Sequence, residues 1–516
     1  MRIQHFKVYN QIHTWTGIIA GLFLFICFIG GALTMFKTPL NQWALQADAS
    51  LAPIAEEKYD DLIQQVLQQH PEAAAEMTVY LPRAQPQHAP VSWVIENHET
   101  HATTIWHATL NDNNELVTAQ ASVSAVGDFI DDLHRTAGIP GGDGHDAVGT
   151  YVMGIVAGLY FLALVSGLII FLPSWFKDLF SVRRGKNRKR FWVDFHNVLG
   201  ISALPFHIVI ALTTMVFAFH DLFYGSLQAL VYKDTPMFNA PPAGTARQIT
   251  ELASINELTQ SIQTLEPEFK PAVITFRGLN SPRASAIFGG EMEGHWIRGP
   301  DYAFVVSNPY TTQPGYTAML PNQPGSMGKF VNGFFALHFG GFGGDTIRWV
   351  YFGLGVSGAL LFLSGNILWI ETRRRRQKQN EIPVEQKKSC VTMARLTVGV
   401  ALGTLMGLAL SLLIVKWLPH SQVDIAWWQN FAYYSGFLVC IGWAFICPPL
   451  HAAKQQLLVL CVLTSVLTVS SVGLGRLSTI SLVFAFVALI ITAGLLATLG
   501  WVKKREKTLE KDSAWI

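Results

Sequence analysis

Histidine is the residue type whose placement in this chain points most directly to chemistry. His13 and His196 open two apolar helical stretches in matched contexts, His-Thr-Trp-Thr-Gly and His-Asn-Val-Leu-Gly. His134 and His338 each follow a leucine and precede a glycine-rich stretch. An ionisable side chain is costly in hydrocarbon, so one found in an apolar segment is by default a candidate for function. The recurrence of both contexts predicts that the four histidines act as two pairs.

Two imidazoles that face each other across a helix bundle are suited to holding a six-coordinate b-type haem for electron transfer. We therefore predict one haem between His13 and His196, near one membrane surface. A second would lie between His134 and His338, near the other surface, and the two would form an electron path across the bilayer. Small and aromatic neighbours would suit a flat macrocycle: Gly17, Gly200, Trp15, Phe195 and Phe339.

A fifth histidine, His207, lies in the apolar stretch 191–220, which the pattern predicts to be one helix. In a continuous helix His196 and His207 would lie on one face, about 16 Å apart along the axis. Pro205 should loosen this helix locally. The aligned position in the first stretch is Leu24, so His207 has no counterpart. Three roles stay open for it: an alternative haem ligand, a hydrogen-bond partner of a haem edge, or a satisfied core residue.

Other potential ligands are less suggestive. His98, His101 and His107 could bind a metal, but they lack carboxylates or cysteines at fixed spacing, and we interpret them as solvent-facing strand residues. None of the five cysteines falls in the polar segments 37–146 and 219–344, and no CxxC pattern occurs. This excludes an intrachain disulfide framework in those segments and gives no sign of zinc or an iron–sulfur cluster.

The composition identifies a membrane protein: 50% of the residues are hydrophobic and only 14% are charged. Runs of about 20 apolar residues, the length that crosses a hydrocarbon core, predict eight spans near 12–36, 147–172, 193–218, 345–370, 393–415, 428–447, 455–474 and 479–502. The first run is too long for a signal peptide and ends without a small-residue cleavage site. We interpret it as a retained anchor.

Basic residues predict the orientation of the chain. They crowd residues 177–190, 373–376 and 503–507, whereas the long segment 37–145 holds only four. By the positive-inside rule both termini are cytoplasmic, and the polar segments 37–146 and 219–344 face the outside. The net charge of +2 is then a signal of topology, and it gives no indication of nucleic-acid binding.

The two polar segments repeat the same order of elements, a helix that ends in proline and then short strands. The predicted helices cover 59–71 and 255–267, and the predicted strands cover 77–81, 91–96, 103–110, 272–277, 284–288 and 302–307. We therefore predict an internal duplication with a pseudo-axis near the membrane normal. The first unit would span about 1–185 and the second about 186–380. Residues 381–516 would form a four-helix membrane region in which we find no chemistry.

These features resemble a known family. Segments 40–145 and 221–338 resemble PepSY domains, and their arrangement around the H-x-x-x-G helices and the Leu-His motifs resembles the PepSY-associated transmembrane family. Over residues 1–380 the chain is thus similar to iron-regulated inner-membrane proteins that include di-haem ferric-siderophore reductases. The resemblance implies an α-helical integral protein of the bacterial inner membrane with two small periplasmic α+β domains.

The resemblance also implies a function: an oxidoreductase with two b haems that reduces ferric siderophore, or another periplasmic acceptor, for iron acquisition. Reduction would release iron, because ferrous ion binds hard oxygen ligands far more weakly than ferric ion. The chain has no G-x-G-x-x-G stretch in a βαβ context. The electron donor would therefore be a cytoplasmic partner or a lipid quinol.

Two hypotheses from other functional classes are open. A non-enzymatic PepSY membrane protein could bind or regulate a protease or a transporter partner, and it would be colourless. A transporter would suit the repeat, but we see no matched broken helices and no intramembrane carboxylate pair, so this reading is weaker.

Overall fold

The structure is a computed structural model that describes residues 3–44, 51–84, 89–96, 103–122, 126–141, 147–175, 182–183, 188–236, 247–323, 325–375, 384–418, 424–473, 478–507 and 513–515. Several basic residues used for the topology prediction, and His98 and His101, lie outside these ranges.

The described residues form long apolar helices and a smaller set of polar helices and strands. The long helices are α1 (Ile3–Thr34), α5 (Val148–Phe171), α7 (Leu204–Leu227), α10 (Gly344–Arg373), α11 (Lys388–Trp417), α12 (Ile425–Ile446), α13 (Pro449–Gly473) and α14 (Thr479–Glu506). The shorter helices are α2 (Lys37–Ala44), α3 (Tyr59–Gln69), α4 (Val126–Thr136), α6 (Arg188–Ser202), α8 (Ile255–Leu265) and α9 (Ser326–Phe339).

Seven helices of the described chain are long and apolar enough to cross a membrane, where the sequence predicted eight. The predicted span that is not among these seven is α12. This helix of 22 residues does form at the predicted place. Its first turns carry Gln429, Asn430 and several tryptophans and tyrosines, which lower its hydropathy. Its length is sufficient for a span, but its composition does not reach that of the other seven.

The prediction of one continuous helix over 191–220 is wrong. The chain leaves the helical conformation at Ala203 (φ −109°, ψ 14°), so α6 ends at Ser202 and α7 begins at Leu204. Pro205 lies in the first turn of α7, where its missing N–H costs nothing and its ring prevents continuation of α6. His196 and His207 therefore lie on different helices and do not share one helical face.

The strands of both polar segments form one antiparallel sheet of eight strands, which the sequence did not predict. The strands are β1 (Glu76–Tyr80), β2 (Val91–Glu96), β3 (Thr103–Leu110), β4 (Leu116–Ser122), β5 (Lys270–Arg277), β6 (Ser285–Glu291), β7 (Ala303–Ser307) and β8 (Pro314–Tyr316). Their order is β4-β3-β2-β1-β5-β6-β7-β8, so the two segments meet at β1 and β5. Both segments therefore lie at the same end of the helix bundle, here called the sheet end; the opposite end is the far end.

The predicted helices at 59–71 and 255–267 are confirmed as α3 and α8, and six strands lie close to their predicted places. Sequence reasoning missed β4 and β8. Apolar residues of α3 and α8 share one core with the sheet: Leu62, Val66, Leu258, Ile262, Phe276 and Phe288 are all fully buried. The two helices are also linked, because Asp60 accepts a hydrogen bond from the backbone N–H of Ile255 (2.8 Å).

Candidate functional site

The four matched histidines meet as two pairs. His13 of α1 and His196 of α6 lie at the far end with their ring centres 6.1 Å apart. His134 of α4 and His338 of α9 lie at the sheet end with ring centres 6.3 Å apart. The structure thus brings together the residues that the sequence paired, although they are separated by 183 and 204 positions in the chain.

Hydrogen bonds from neighbouring helices orient the far-end pair. His13 Nδ1 donates to the carbonyl oxygen of Ala163 in α5 (2.8 Å). His196 Nδ1 bonds to the carbonyl oxygen of Leu361 in α10 (3.1 Å) and lies 3.1 Å from the Ser364 hydroxyl. Each acceptor carbonyl lies four residues before a glycine, Gly167 in α5 and Gly365 in α10. The two histidines are therefore held by equivalent parts of two similar helices.

Those glycines make room for the imidazoles. A Cβ placed on Gly167 would lie 2.9 Å from His13 Cε1, and one on Gly365 would lie 3.2 Å from His196 Cε1. Side-chain carbon atoms do not normally approach so closely. The glycines at 167 and 365 therefore have a packing reason, which is the close approach of a histidine ring to the helix backbone.

The two histidines of the sheet-end pair have hydrogen-bond partners of different kinds. His134 Nδ1 donates to the carbonyl oxygen of Cys27 in α1 (2.9 Å), whereas His338 Nδ1 bonds to the hydroxyl of Thr213 in α7 (2.8 Å). Thr213 donates its own proton to the carbonyl of Val209 (2.7 Å), so its oxygen accepts from His338. Here too a glycine permits close contact, since a Cβ on Gly31 would lie 2.7 Å from His134 Cε1.

Ion pairs and a hydrogen bond hold helix α4, which carries His134, against α2. Lys37 contacts Asp128 (2.7 Å) and Asp131 (3.3 Å), and Asn41 accepts from the backbone N–H of Gly127 (2.7 Å). Burial lowers the Lys37 pKa, but the two carboxylates outweigh it and raise that pKa above its ordinary value. The ammonium therefore stays charged and links the two helices.

Helix α9, which carries His338, is fastened to α10 and to the sheet segment. The hydroxyl of Tyr351 in α10 donates to the carbonyl of Leu337 (2.7 Å), and Arg298 donates to the buried Asn332 side chain. Gly340 then ends the helix in a left-handed conformation (φ 71°) that favours glycine. The glycine-rich stretch after the Leu-His motif thus terminates the helix just beyond His338.

The hydrogen bonds decide which ring nitrogen is free. In all four histidines Nδ1 is occupied, and within the described residues Nε2 makes no hydrogen bond. An Nδ1–H donated to an oxygen leaves a lone pair on Nε2, which is the arrangement of metal-binding histidines. Two nitrogens that bind one metal ion from opposite sides, each about 2 Å away, place their ring centres about 6.3 Å apart. Both pairs match this spacing.

The surroundings also fit a flat macrocycle. A Cβ on Gly17 would meet nothing within 4 Å, and one on Gly200 would meet only Leu361 Cδ1 at 3.5 Å. Phe339 lies beside His338 (ring centres 5.2 Å apart), while Trp15 is 57% exposed. Within the described residues no group of three or more His, Cys, Asp or Glu could hold a metal ion. Each pair offers two imidazole nitrogens, which is the number of protein ligands that a six-coordinate haem iron takes.

His207 joins neither pair. Its ring is fully buried and packs against Phe28, Tyr160 and Phe206. No other histidine of the described chain contacts it, so the structure gives no support to the alternative-ligand role. Both of its ring nitrogens lack a hydrogen-bond partner in the described chain.

Of the three histidines that could bind a metal in the first polar segment, His107 lies in β3, where burial lowers its pKa. The other two, His98 and His101, are outside the described residues.

Helix α6 carries a buried charge that sequence reasoning missed. Asp194, only 1% exposed, accepts from the backbone N–H and the guanidinium of Arg183 at 2.9 to 3.0 Å, and it also contacts Arg190. These bonds fix the turn of helix just before His196. The acceptors Ala163, Leu361 and Cys27 could not be identified from sequence either, because backbone carbonyls carry no residue-type signal.

Comparison with known proteins bears on this architecture. A comparison with curated proteins gives no match. The family model for the PepSY-associated TM region matches residues 10–372, which include all four paired histidines and both polar segments. The chain therefore belongs to the PepSY-associated transmembrane family.

Proposed function

We propose that this protein is a haem-dependent transmembrane oxidoreductase. It would hold two b haems, one between His13 and His196 and one between His134 and His338. Electrons would pass from the far end to an acceptor at the sheet end. The observation that carries the proposal is the presence of two imidazole pairs with ring centres 6.1 and 6.3 Å apart and with every Nδ1 already hydrogen-bonded.

A haem bound by such a pair would supply one-electron chemistry. The chain supplies the rest. Ala163, Leu361, Cys27 and Thr213 fix the tautomer of each ligand and raise its basicity. Gly167 and Gly31 let the rings lie against the helix backbone. The glycines and the flanking apolar helices would exclude water from the pairs.

An internal duplication is part of the proposal, and the sheet supports it. Aligning Pro71 with Pro267, as the sequence suggests, makes Thr78 equivalent to Ile274 and Val79 equivalent to Thr275. In the sheet Thr78 pairs with Thr275 and Val79 pairs with Ile274. Exchanging the two segments therefore reproduces the same register. This is the pattern expected of two related units about a pseudo-twofold axis.

The orientation and the acceptor follow from the same scheme. The positive-inside rule favours a cytoplasmic far end and an outer sheet end, so the sheet would lie in the periplasm of a bacterial inner-membrane protein. Ferric siderophore is the acceptor that the family resemblance favours. The sheet lies at the same end as His134 and His338, which suits a role in binding this acceptor. The donor would be a cytoplasmic partner or a lipid quinol.

An absorbance spectrum of the detergent-purified protein tests the proposal. We expect sharp b-type bands on reduction with dithionite, and a pyridine haemochrome assay should give two haems per chain. Replacing His220 by Ala should leave this count unchanged, because His220 contacts Asp221 (3.2 Å) and belongs to neither pair. A colourless protein from haem-sufficient cells would overturn the proposal and favour the regulatory reading.

A further inference from the structure

A buried polar pair lies between the two histidine pairs and has no role in the function proposed above. His207 of α7 is fully buried and Tyr160 of α5 is 3% exposed. Their ring centres are 6.1 Å apart at 72°. Both imidazole nitrogens of His207 and the hydroxyl of Tyr160 lack a hydrogen-bond partner among the described residues. Three such atoms at one buried place are unusual, because buried polar groups are nearly always paired.

The position of His207 is midway between the pairs. On α10, Gly365 lies beside His196 and Gly358 lies beside His207; seven residues of helix correspond to about 10 Å. On α7, His207 precedes Thr213, the partner of His338, by six residues or about 9 Å. Any charge that moves from one pair to the other therefore passes close to His207.

The surroundings of His207 are apolar. Three phenylalanines pack against the His207 or Tyr160 ring, with ring centres 5.2 to 5.9 Å apart: Phe28, Phe206 and Phe362. No ion pair or hydrogen bond to the His207 ring occurs in the described chain. Among the titratable groups on the helices around it are Cys27 of α1, Tyr160 of α5, His196 of α6, His338 of α9 and Tyr351 of α10. Charges in such a medium are poorly screened.

Packing alone does not require a histidine here. The equivalent residue of the first unit is Leu24, which is 4% exposed in the same kind of apolar surroundings. A leucine would avoid the cost of burying two unpaired nitrogens, about 1–3 kcal/mol for each such group. The histidine therefore has a reason other than stability.

We propose that His207, assisted by Tyr160, binds one proton when an electron arrives at a neighbouring histidine pair. This inference rests on the proposed haem function. A reduced site carries one more negative charge than an oxidised site, and a nearby negative charge favours the protonated form of a base. The unprotonated ring nitrogen of His207 gains one proton, drawn from the proton pool of the bulk solvent, as the electron arrives, and the proton returns to that pool when the electron leaves. The Tyr160 oxygen can accept a hydrogen bond from the imidazolium.

Redox potentiometry of the purified haem protein at a series of pH values tests this proposal. In the wild type we expect the midpoint potential of at least one haem to fall as the pH rises, approaching about 59 mV per pH unit for one proton per electron. His207→Leu, which copies the residue of the first unit, should abolish this slope while both haems remain in the absorbance spectrum. His220→Leu is the matched control on the same helix and should keep the slope.

Two further variants make the test decisive. His207→Gln retains a polar side chain that cannot titrate and should also lose the slope, so it serves if the leucine variant does not fold. Tyr160→Phe should keep the slope but move it to lower pH, because the imidazolium loses its acceptor. A wild-type potential that is independent of pH, or a His207 variant with the wild-type slope, overturns the proposal. A protein without haem would instead refute the haem function itself.

Discussion

The far-end and sheet-end histidine pairs have nearly the same spacing but are built differently. At the far end His13 and His196 bond to the carbonyls of Ala163 and Leu361, each of which lies four residues before a glycine. At the sheet end His134 bonds to a carbonyl while His338 bonds to the Thr213 hydroxyl. The ring planes also differ, with interplanar angles of 72° at the far end and 39° at the sheet end.

The two pairs thus share a spacing but differ in their chemical surroundings. A carbonyl and a hydroxyl accept the Nδ1–H with different strength, and this contact tunes the basicity of the ligand. The sheet-end pair also depends on helices α4 and α9, which follow the strands of the two joined sheet halves. We therefore expect the two pairs to respond independently to substitution.

Removal of a ligand should have the largest effect. His196→Ala should abolish the far-end haem and leave about one haem per chain, and His338→Ala should do the same at the sheet end. A pyridine haemochrome assay counts the haems, and the two difference spectra identify which bands belong to each pair. Unchanged haem content in either variant would contradict the ligand assignment for that pair.

Filling the space beside His13 should have the next largest effect. In Gly167→Ala the new Cβ would lie 2.9 Å from His13 Cε1, so the ring must move and the far-end pair should lose most of its haem. Gly158→Ala is the matched control on α5, since its Cβ would make only an ordinary contact with Met215 Sδ at 3.9 Å. Equal haem content in the two variants would show that the close approach is unimportant.

Neutralising Asp194 should lower the stability of the protein and weaken haem retention at the far end alone. Asp194→Asn loses charge-assisted hydrogen bonds with Arg183, which are partly screened because the arginine is 43% exposed. We expect a loss of about 2 kcal/mol in stability, measured as a lower Tm, together with weaker retention of the far-end haem. The control is Asp221→Asn, which removes a half-exposed carboxylate on α7. A selective loss of the sheet-end haem would contradict the assignment of Asp194 to the far end.

Changing Thr213, whose hydroxyl is the hydrogen-bond partner of His338, should have the smallest effect. Thr213→Val removes the acceptor of His338 Nδ1 and should weaken haem retention at the sheet end by about 10-fold. The His338 ligand also becomes less basic, so the potential of that haem should rise. Thr213→Ser keeps the hydroxyl and should restore both properties. Potentiometry that shows a shift of the far-end haem instead would argue against independent pairs.

Local patterns in the sequence were enough to place most elements. Apolar runs predicted the places of the eight long helices, seven of which are apolar enough to cross a membrane, and helical periods closed by proline predicted α3 and α8. The recurrence of short motifs also predicted which histidines would meet, because equivalent residues of related units tend to lie across their common axis. These signals are local or repeated, and for that reason they can be read without a structure.

Other features escaped sequence reasoning for physical reasons. The break at Ala203 was missed because a proline two residues later is compatible with a kinked helix as well as with a new one. The eight-stranded sheet was missed because pairing of β1 with β5 joins residues about 200 positions apart, and edge strands look alike before their partners are known. The Nδ1 acceptors were missed because three of the four are backbone carbonyls.

The sequence by itself determined that this is a membrane protein with two matched pairs of histidines, since composition and repetition are properties of the chain. Tertiary structure alone decided the rest. It placed the ring centres 6.1 and 6.3 Å apart. Among the described residues it left each Nε2 without a hydrogen bond and enclosed His207 between the pairs without a hydrogen-bond partner. Such distances arise from the packing of helices that are remote in sequence, and packing depends on contacts that no single segment contains.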